Sequence, residues 1–208
     1  MATTTTNYGF DIPQSTDLVK DGATAIATLG QDIDTAMNTA LGTKKAGMVL
    51  LNTTSFSAVA SQSINDVFSA TYENYLIQIK SANATNSSLR MRLRVSGADD
   101  TNNVYSTAYS VQRFDSAAVS DVQDGPTTSF AIVQSTNNQI NFSNINIFRP
   151  NLVTSTHLNL ATSNTQVSGS FSFMGGAVFT NTTAFTGFTI FPATSTISGV
   201  ISVYGYNA

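Results

Sequence analysis

From Met48 to the C-terminus the sequence shows no helical period; short runs of Val, Ile, Phe, Tyr and Thr alternate with breaks of Asn, Ser, Gly and Asp. Residue types that fit a pleated, half-buried surface, punctuated by turn formers, predict many short strands. The spacing predicts ten: 48–51, 75–80, 88–95, 105–113, 129–134, 139–148, 157–161, 167–173, 185–191 and 197–206. Strands in succession, with no helices between them, predict a mainly β fold: an antiparallel β-sandwich or jelly roll. The clearest alternation sets Leu89, Met91, Leu93 and Val95 against Arg90, Arg92 and Arg94, one face inward and one outward. Ile140 and Phe142 change parity to Ile145 and Ile147, which predicts a bulge, and Gly175-Gly176 reads as a hairpin turn.

Before Met48 the pattern differs. Val19, Gly22, Ile26, Leu29, Ile33, Ala36 and Ala40 follow one another by three or four residues, predicting a helix with one apolar seam over 17–41. Ser15, Thr16 and Asp17 can cap its start, and Gly42, Lys44 and Lys45 follow its end. Thr24, Ala25, Ala27, Thr28, Thr35 and Thr39 stand where a solvated helix would carry ion pairs, so this helix needs neighbours. They are either its own β domain or identical helices in a coiled-coil bundle. Residues 1–16 lack periodicity and read as an irregular arm, with Tyr8, Phe10, Ile12 and Pro13 as apolar anchors on a segment too short to form a core. The domains expected are therefore 1–16, 17–45 and 46–208.

Only 10% of the 208 residues are charged, against roughly 25% in an ordinary globular domain, so Ser, Thr and Asn must supply most of the polar surface. A net charge of -3 offers no basic patch for nucleic acid. With no Cys and one His, His157, no common zinc or haem ligand set can be assembled, and no cofactor or metal is expected. The N-terminus lacks the basic start and apolar core of a Sec signal, and no apolar run suffices for membrane insertion.

Catalytic motifs are absent: there is no nucleophile elbow, phosphate loop or metal-binding helix, and Glu73 is the one Glu. Asp99-Asp100 after Gly97 reads as a turn or as a cation site. The expectation is a protein that is not an enzyme. Arg90, Arg92 and Arg94 are candidates to grip an acidic glycan or a neighbouring subunit, or else a solvated face with cross-strand partners. Tyr105 and Tyr109, among the tyrosines at 72, 75, 105, 109, 204 and 206, are candidates to stack on sugars.

The segments Thr6-Asn7-Tyr8-Gly9-Phe10-Asp11-Ile12-Pro13-Gln14, Asp17-Leu18-Val19-Lys20-Asp21-Gly22 and Ala25-Ile26-Ala27-Thr28-Leu29-Gly30-Gln31-Asp32-Ile33-Asp34 resemble the N-terminal segment of tail-fibre and minor tail proteins of tailed bacteriophages. Phe68-Ser69-Ala70-Thr71-Tyr72-Glu73-Asn74-Tyr75, Leu93-Arg94-Val95-Ser96-Gly97 and the ending Ile197-Ser198-Gly199-Val200-Ile201-Ser202-Val203-Tyr204-Gly205-Tyr206 extend the similarity to most of the chain. The resemblance implies a homotrimer made in the host cytoplasm and carried on the virion. In it 1–16 dock to other virion proteins of tail, baseplate or capsid, the helices form a trimeric stem, and a β head meets a host-surface glycan or protein. A purely structural decoration protein, on head or tail, is the alternative, and a glycan hydrolase a remote one. The sequence departs from larger fibres in having no repeated shaft, collagen-like Gly period or β-helix repeat.

Overall fold

The computed structural model describes residues 3–6, 8–12, 19–41, 47–136, 139–164 and 170–206. The chain divides into two compact units, 1–47 and 48–208.

In the first unit the arm is ordered where irregular chain is expected. Strands β1 (Thr3–Thr4) and β2 (Asp11–Ile12) pair antiparallel, Thr3 opposite Ile12. The Thr5 N–H donates to the Phe10 carbonyl at 2.9 Å, and the Thr5 hydroxyl accepts from the Phe10 N–H at 2.9 Å. Tyr8 and Phe10 stack with ring centroids 5.6 Å apart. A Thr side chain thus closes a hairpin that the local sequence does not advertise by strand pattern. Helix α1 (Val19–Leu41) follows, with Asp21 in its first turn. The Thr28 and Thr39 hydroxyls donate to the carbonyls of Thr24 and Thr35, four residues back, so these threonines satisfy themselves on the helix. The expected caps Ser15, Thr16, Asp17, Gly42, Lys44 and Lys45 lie outside the described residues, as does Pro13. Among the described residues no helix is long and apolar enough to cross a membrane.

The second unit is an antiparallel β-sandwich. Its strands are β3 (Val49–Val59), β4 (Gln62–Ile64), β5 (Asn74–Asn83), β6 (Ser87–Val95), β7 (Ala98–Asp99), β8 (Tyr105–Arg113), β9 (Val119–Thr127), β10 (Phe130–Thr136), β11 (Ile140–Phe148), β12 (Thr156–Asn164), β13 (Phe171–Phe179), β14 (Gly187–Pro192) and β15 (Ile197–Tyr206). One sheet has eight strands in the order β3-β15-β5-β11-β12-β13-β8-β9, and the other runs β10-β6-β14-β4 with β7 on β6.

Period-two burial on both sheets builds the core. Tyr75, Ile77, Ile79, Ile145, Ile147, Leu158, Leu160 and Phe173 point in from the large sheet, and Leu89, Met91, Leu93, Phe130, Phe188 and Ile190 from the small one. Tyr105 stitches the layers together. Its ring meets Phe130 and Phe179 edge-on at 4.7 and 4.8 Å, while its hydroxyl accepts from the Leu93 N–H at 3.2 Å and donates to the Asp100 carbonyl at 2.9 Å.

Several sequence expectations need correction. β9 carries Asp121, Asp124, Gly125 and Pro126, which read as turn material, yet it pairs with β8. Gly125-Pro126 is tolerated because it falls at a register shift in the pairing, where β9 carries one residue more than β8, on the edge strand of the large sheet. Gly175-Gly176 is not a turn but the middle of β13. A Cβ on Gly175 would lie 2.2 Å from the Ala108 carbonyl and 2.5 Å from the Tyr109 Cβ, so only glycine lets β8 approach there. β11 has no bulge: its register with β5 and β12 is unbroken, Asn141 and Ser143 face inward, and Ile140 and Phe142 face solvent. The expected strand start at Val167 lies outside the described residues.

Candidate functional site

The outward face of the small sheet carries the arginine ladder. After β6 the chain turns back through Ser96 and Gly97, both at positive φ, into β7, which sets Asp99 directly across from Arg94. The Arg94 guanidinium then binds Asp99, the Gly97 carbonyl, Thr189 Oγ1 at 2.7 Å, Ser63 Oγ at 3.0 Å and Asn65 Oδ1 at 3.0 Å. Thr189 in turn donates to Asp99 at 2.6 Å. The group is a satisfied polar network that clamps β4, β6, β7 and β14 together.

Arg90 pairs with Asp124 at 2.8 Å and reaches Ser129 Oγ at 3.2 Å, tying the small sheet to β9. Arg92 differs. It donates from Nε to the Thr128 carbonyl at 3.0 Å and lies over the Phe191 ring at 4.6 Å, and among the described residues it pairs with no carboxylate. Of the three arginines it keeps the most capacity to bind an incoming anion.

Tyr105 and Tyr109 do not join this face. Both are buried, on the inward side of the large sheet; the parity they share with Val111 puts them in the core, so stacking on a sugar is excluded in this fold. Burial also pushes the Tyr105 phenol well above the ordinary tyrosine range. Asp100 accepts from the Asn102 N–H at 2.9 Å and from its side-chain amide at 3.1 Å, a turn-forming contact. Among the described residues no three His, Asp or Glu side chains converge on a cation site. Glu73 pairs with Arg149 at 3.2 Å, and His157 sits exposed on the outward side of β12.

On the first unit, the seam residues Ile26 and Ile33 are 67% and 40% exposed, Gly22, Leu29 and Ala36 are half-buried, and the side chains of Val19 and Ala40 lie outside the described residues. Tyr8 is 73% exposed, and Ile12 is also exposed.

One surface escaped the sequence reading: the outward side of the large sheet, where Leu50, Val119, Ile140, Phe142 and Met174 are exposed. Shallow hollows interrupt it. One of about 390 Å³ lies over Ala108 and Gly176 beside His157 and Asn159; an adjoining one of about 750 Å³ is bordered by Ser110, Asp121, Gln123 and Met174. The parity change at Ile140 and Phe142 was the available signal, since an unbroken strand there leaves both residues outside. Compared with known proteins, the chain matches no family model, no curated protein and no solved structure.

Proposed function

We propose that this chain is a virion fibre protein of a tailed bacteriophage, assembled as a homotrimer through α1. Its N-terminal arm attaches it to other structural proteins of the particle, and the β-sandwich meets the host surface, where it binds without catalysis. The observation that carries the reading is the apolar seam of α1, exposed at Ile26 and Ile33, on a helix poor in the ion pairs that would stabilise it alone. The exposed Tyr8 and Ile12 on a hairpin with no core of its own support attachment through the arm. The resemblance of the N-terminal segments to tail-fibre and minor tail proteins supports the choice of three copies and of a virion location. Nucleic acid, membrane insertion and cofactors have no part in this reading.

Light scattering at micromolar concentration tests it. The full-length protein gives a trimer mass, and Ile26→Asp with Leu29→Asp gives monomer, because carboxylates in the seam would be buried unpaired. A monomeric or dimeric wild-type mass refutes it. Adsorption of the purified trimer to susceptible cells, blocking infection without releasing reducing sugar, tests the head. Released oligosaccharide would point instead to a hydrolase using a carboxylate pair. A second reading, structural decoration with no receptor, is favoured by the internal engagement of Arg90 and Arg94. It predicts no cell binding and normal adsorption by particles lacking the protein.

A further inference from the structure

Tyr105 and Tyr109 are closed off in the core, but Phe142 offers its ring on the outward side of the eight-stranded sheet. It sits mid-strand on β11, paired with β5 on one side and β12 on the other, and the unbroken register that turns Asn141 and Ser143 inward leaves it 45% exposed. A ring on a strand held from both sides is in place before any ligand arrives.

Strand register also decides what surrounds it. Lys80 lies directly across from Phe142, and Val200 across from Lys80; two positions along, Asn144, Gln78 and Ser202 repeat the order on the same three strands. All six share the outward parity and border a hollow of about 430 Å³. That volume falls within the ~300–1,000 Å³ of small-ligand sites. The Gln78 side-chain amide donates to Asn144 Oδ1 at 3.1 Å, which orients the Gln78 carbonyl and the Asn144 amino group for further bonds. The hollow thus joins an aromatic face, two amides, a hydroxyl and a cation.

Lys80 pairs with no carboxylate among the described residues, and its ammonium stands 6.0 Å from the Phe142 centroid. This is the outer limit of a cation–π contact, so the ammonium can swing to an incoming anion with little lost. Arg92 on the small sheet is the comparison: at 4.6 Å it covers the half-buried ring of Phe191, and it already donates to the Thr128 carbonyl. A cation and an open ring face come together at Phe142, not at Arg92.

We propose that this hollow binds a saccharide that carries a carboxylate. The C–H face of the sugar lies on the Phe142 ring, the carboxylate meets Lys80, and the hydroxyls bond to Gln78, Asn144 and Ser202. A simple carboxylate would leave the ring and the amides unused, and a neutral sugar would leave Lys80 unmatched. The proposal rests on the reading of the β-sandwich as the part that meets the host surface, and adds to it a place and a ligand class.

Saturation-transfer difference NMR on the full-length protein tests it, with the methyl glycosides of glucuronic and N-acetylneuraminic acid, methyl glucoside and acetate as probes. At least one acidic glycoside should give a signal that clearly exceeds that of methyl glucoside. Phe142→Ala and Lys80→Met, both at exposed positions and checked for folding by circular dichroism, should each lower that signal about threefold or more, and Arg92→Gln should leave it unchanged. Equal signals from acidic and neutral glycosides overturn the role of the carboxylate, and displacement by equimolar acetate overturns the saccharide. Loss in Arg92→Gln but not in Lys80→Met overturns the site. No signal from either acidic glycoside, with a protein that adsorbs to susceptible cells, overturns the site and leaves the host-surface reading standing. Binding of an acidic glycoside by a protein that does not adsorb to cells keeps the site and removes that reading.

Discussion

Tyr105→Phe isolates the contribution of one oxygen atom to the sandwich. β10 begins at Phe130, opposite Met91, and β7 reaches no further than Asp99, opposite Arg94, so Leu93 lies in the gap between them without a paired strand residue on that side. The Tyr105 hydroxyl and the Asp100 N–H stand in for it, taking the Leu93 N–H at 3.2 Å and the Leu93 carbonyl at 2.8 Å. Phenylalanine keeps the ring contacts with Phe130 and Phe179 and removes only the hydroxyl. Leu93 is fully buried, so its N–H would be left without an acceptor at a cost of about 1–3 kcal/mol. The lost bond to the Asp100 carbonyl, which is closer to solvent, adds about 0.5–1 kcal/mol. The expected total is about 1.5–4 kcal/mol, or roughly 3–16 °C in Tm for a unit of this size. Urea unfolding at pH 7 followed by far-ultraviolet circular dichroism should show a lower midpoint at unchanged slope. A loss below about 0.5 kcal/mol would mean that the hydroxyl does not replace the missing strand.

Three further outcomes follow from named contacts. Burial raises the pKa of Tyr105, Tyr75 and Tyr206 above their unfolded value of 10.0, so the stability these phenols contribute is present below pH 10 and is lost as pH climbs beyond it. For Tyr105 the decline should approach about 1.4 kcal/mol per pH unit between its unfolded and its folded value, and Tyr105→Phe should unfold with a measurably shallower alkaline slope; an unchanged slope would refute the assignment. Gly175→Ala should destabilise by about 3 kcal/mol or more, since its Cβ meets backbone at 2.2 Å, whereas Gly176→Ala, with its nearest contact at 3.5 Å, should stay within about 1 kcal/mol of wild type in the same urea assay. Tyr8→Asp with Ile12→Asp should leave the fold and mass intact and abolish incorporation in particle complementation; normal incorporation would place the attachment elsewhere.

The elements whose period the sequence states outright were legible. Alternation from Leu89 to Arg94 located β6 and its two faces, and β8 and β15 match their expected bounds, because a side-chain period of two is a property of the strand alone. The three-four spacing located α1 in the same way over Val19–Leu41, with the expected first two positions outside the described residues. What a local pattern cannot carry is the identity of the neighbour. Asp, Gly and Pro spell a turn in isolation, and β9 is a strand because β8 supplies a partner on one side and nothing is required on the other. Gly175-Gly176 looks the same in a hairpin as in a strand pressed against Tyr109, and only the pressing strand decides between them. The arginine face was found, but Asp124 and Asp99 became partners of Arg90 and Arg94 through strand pairing and a hairpin, and those ion pairs determine how much of the face is left to bind anything else. Tyr105 and Tyr109 could have been assigned inward from their parity with Val111; their value as sugar platforms was judged from residue type, while burial is decided by which face of the strand the second sheet covers.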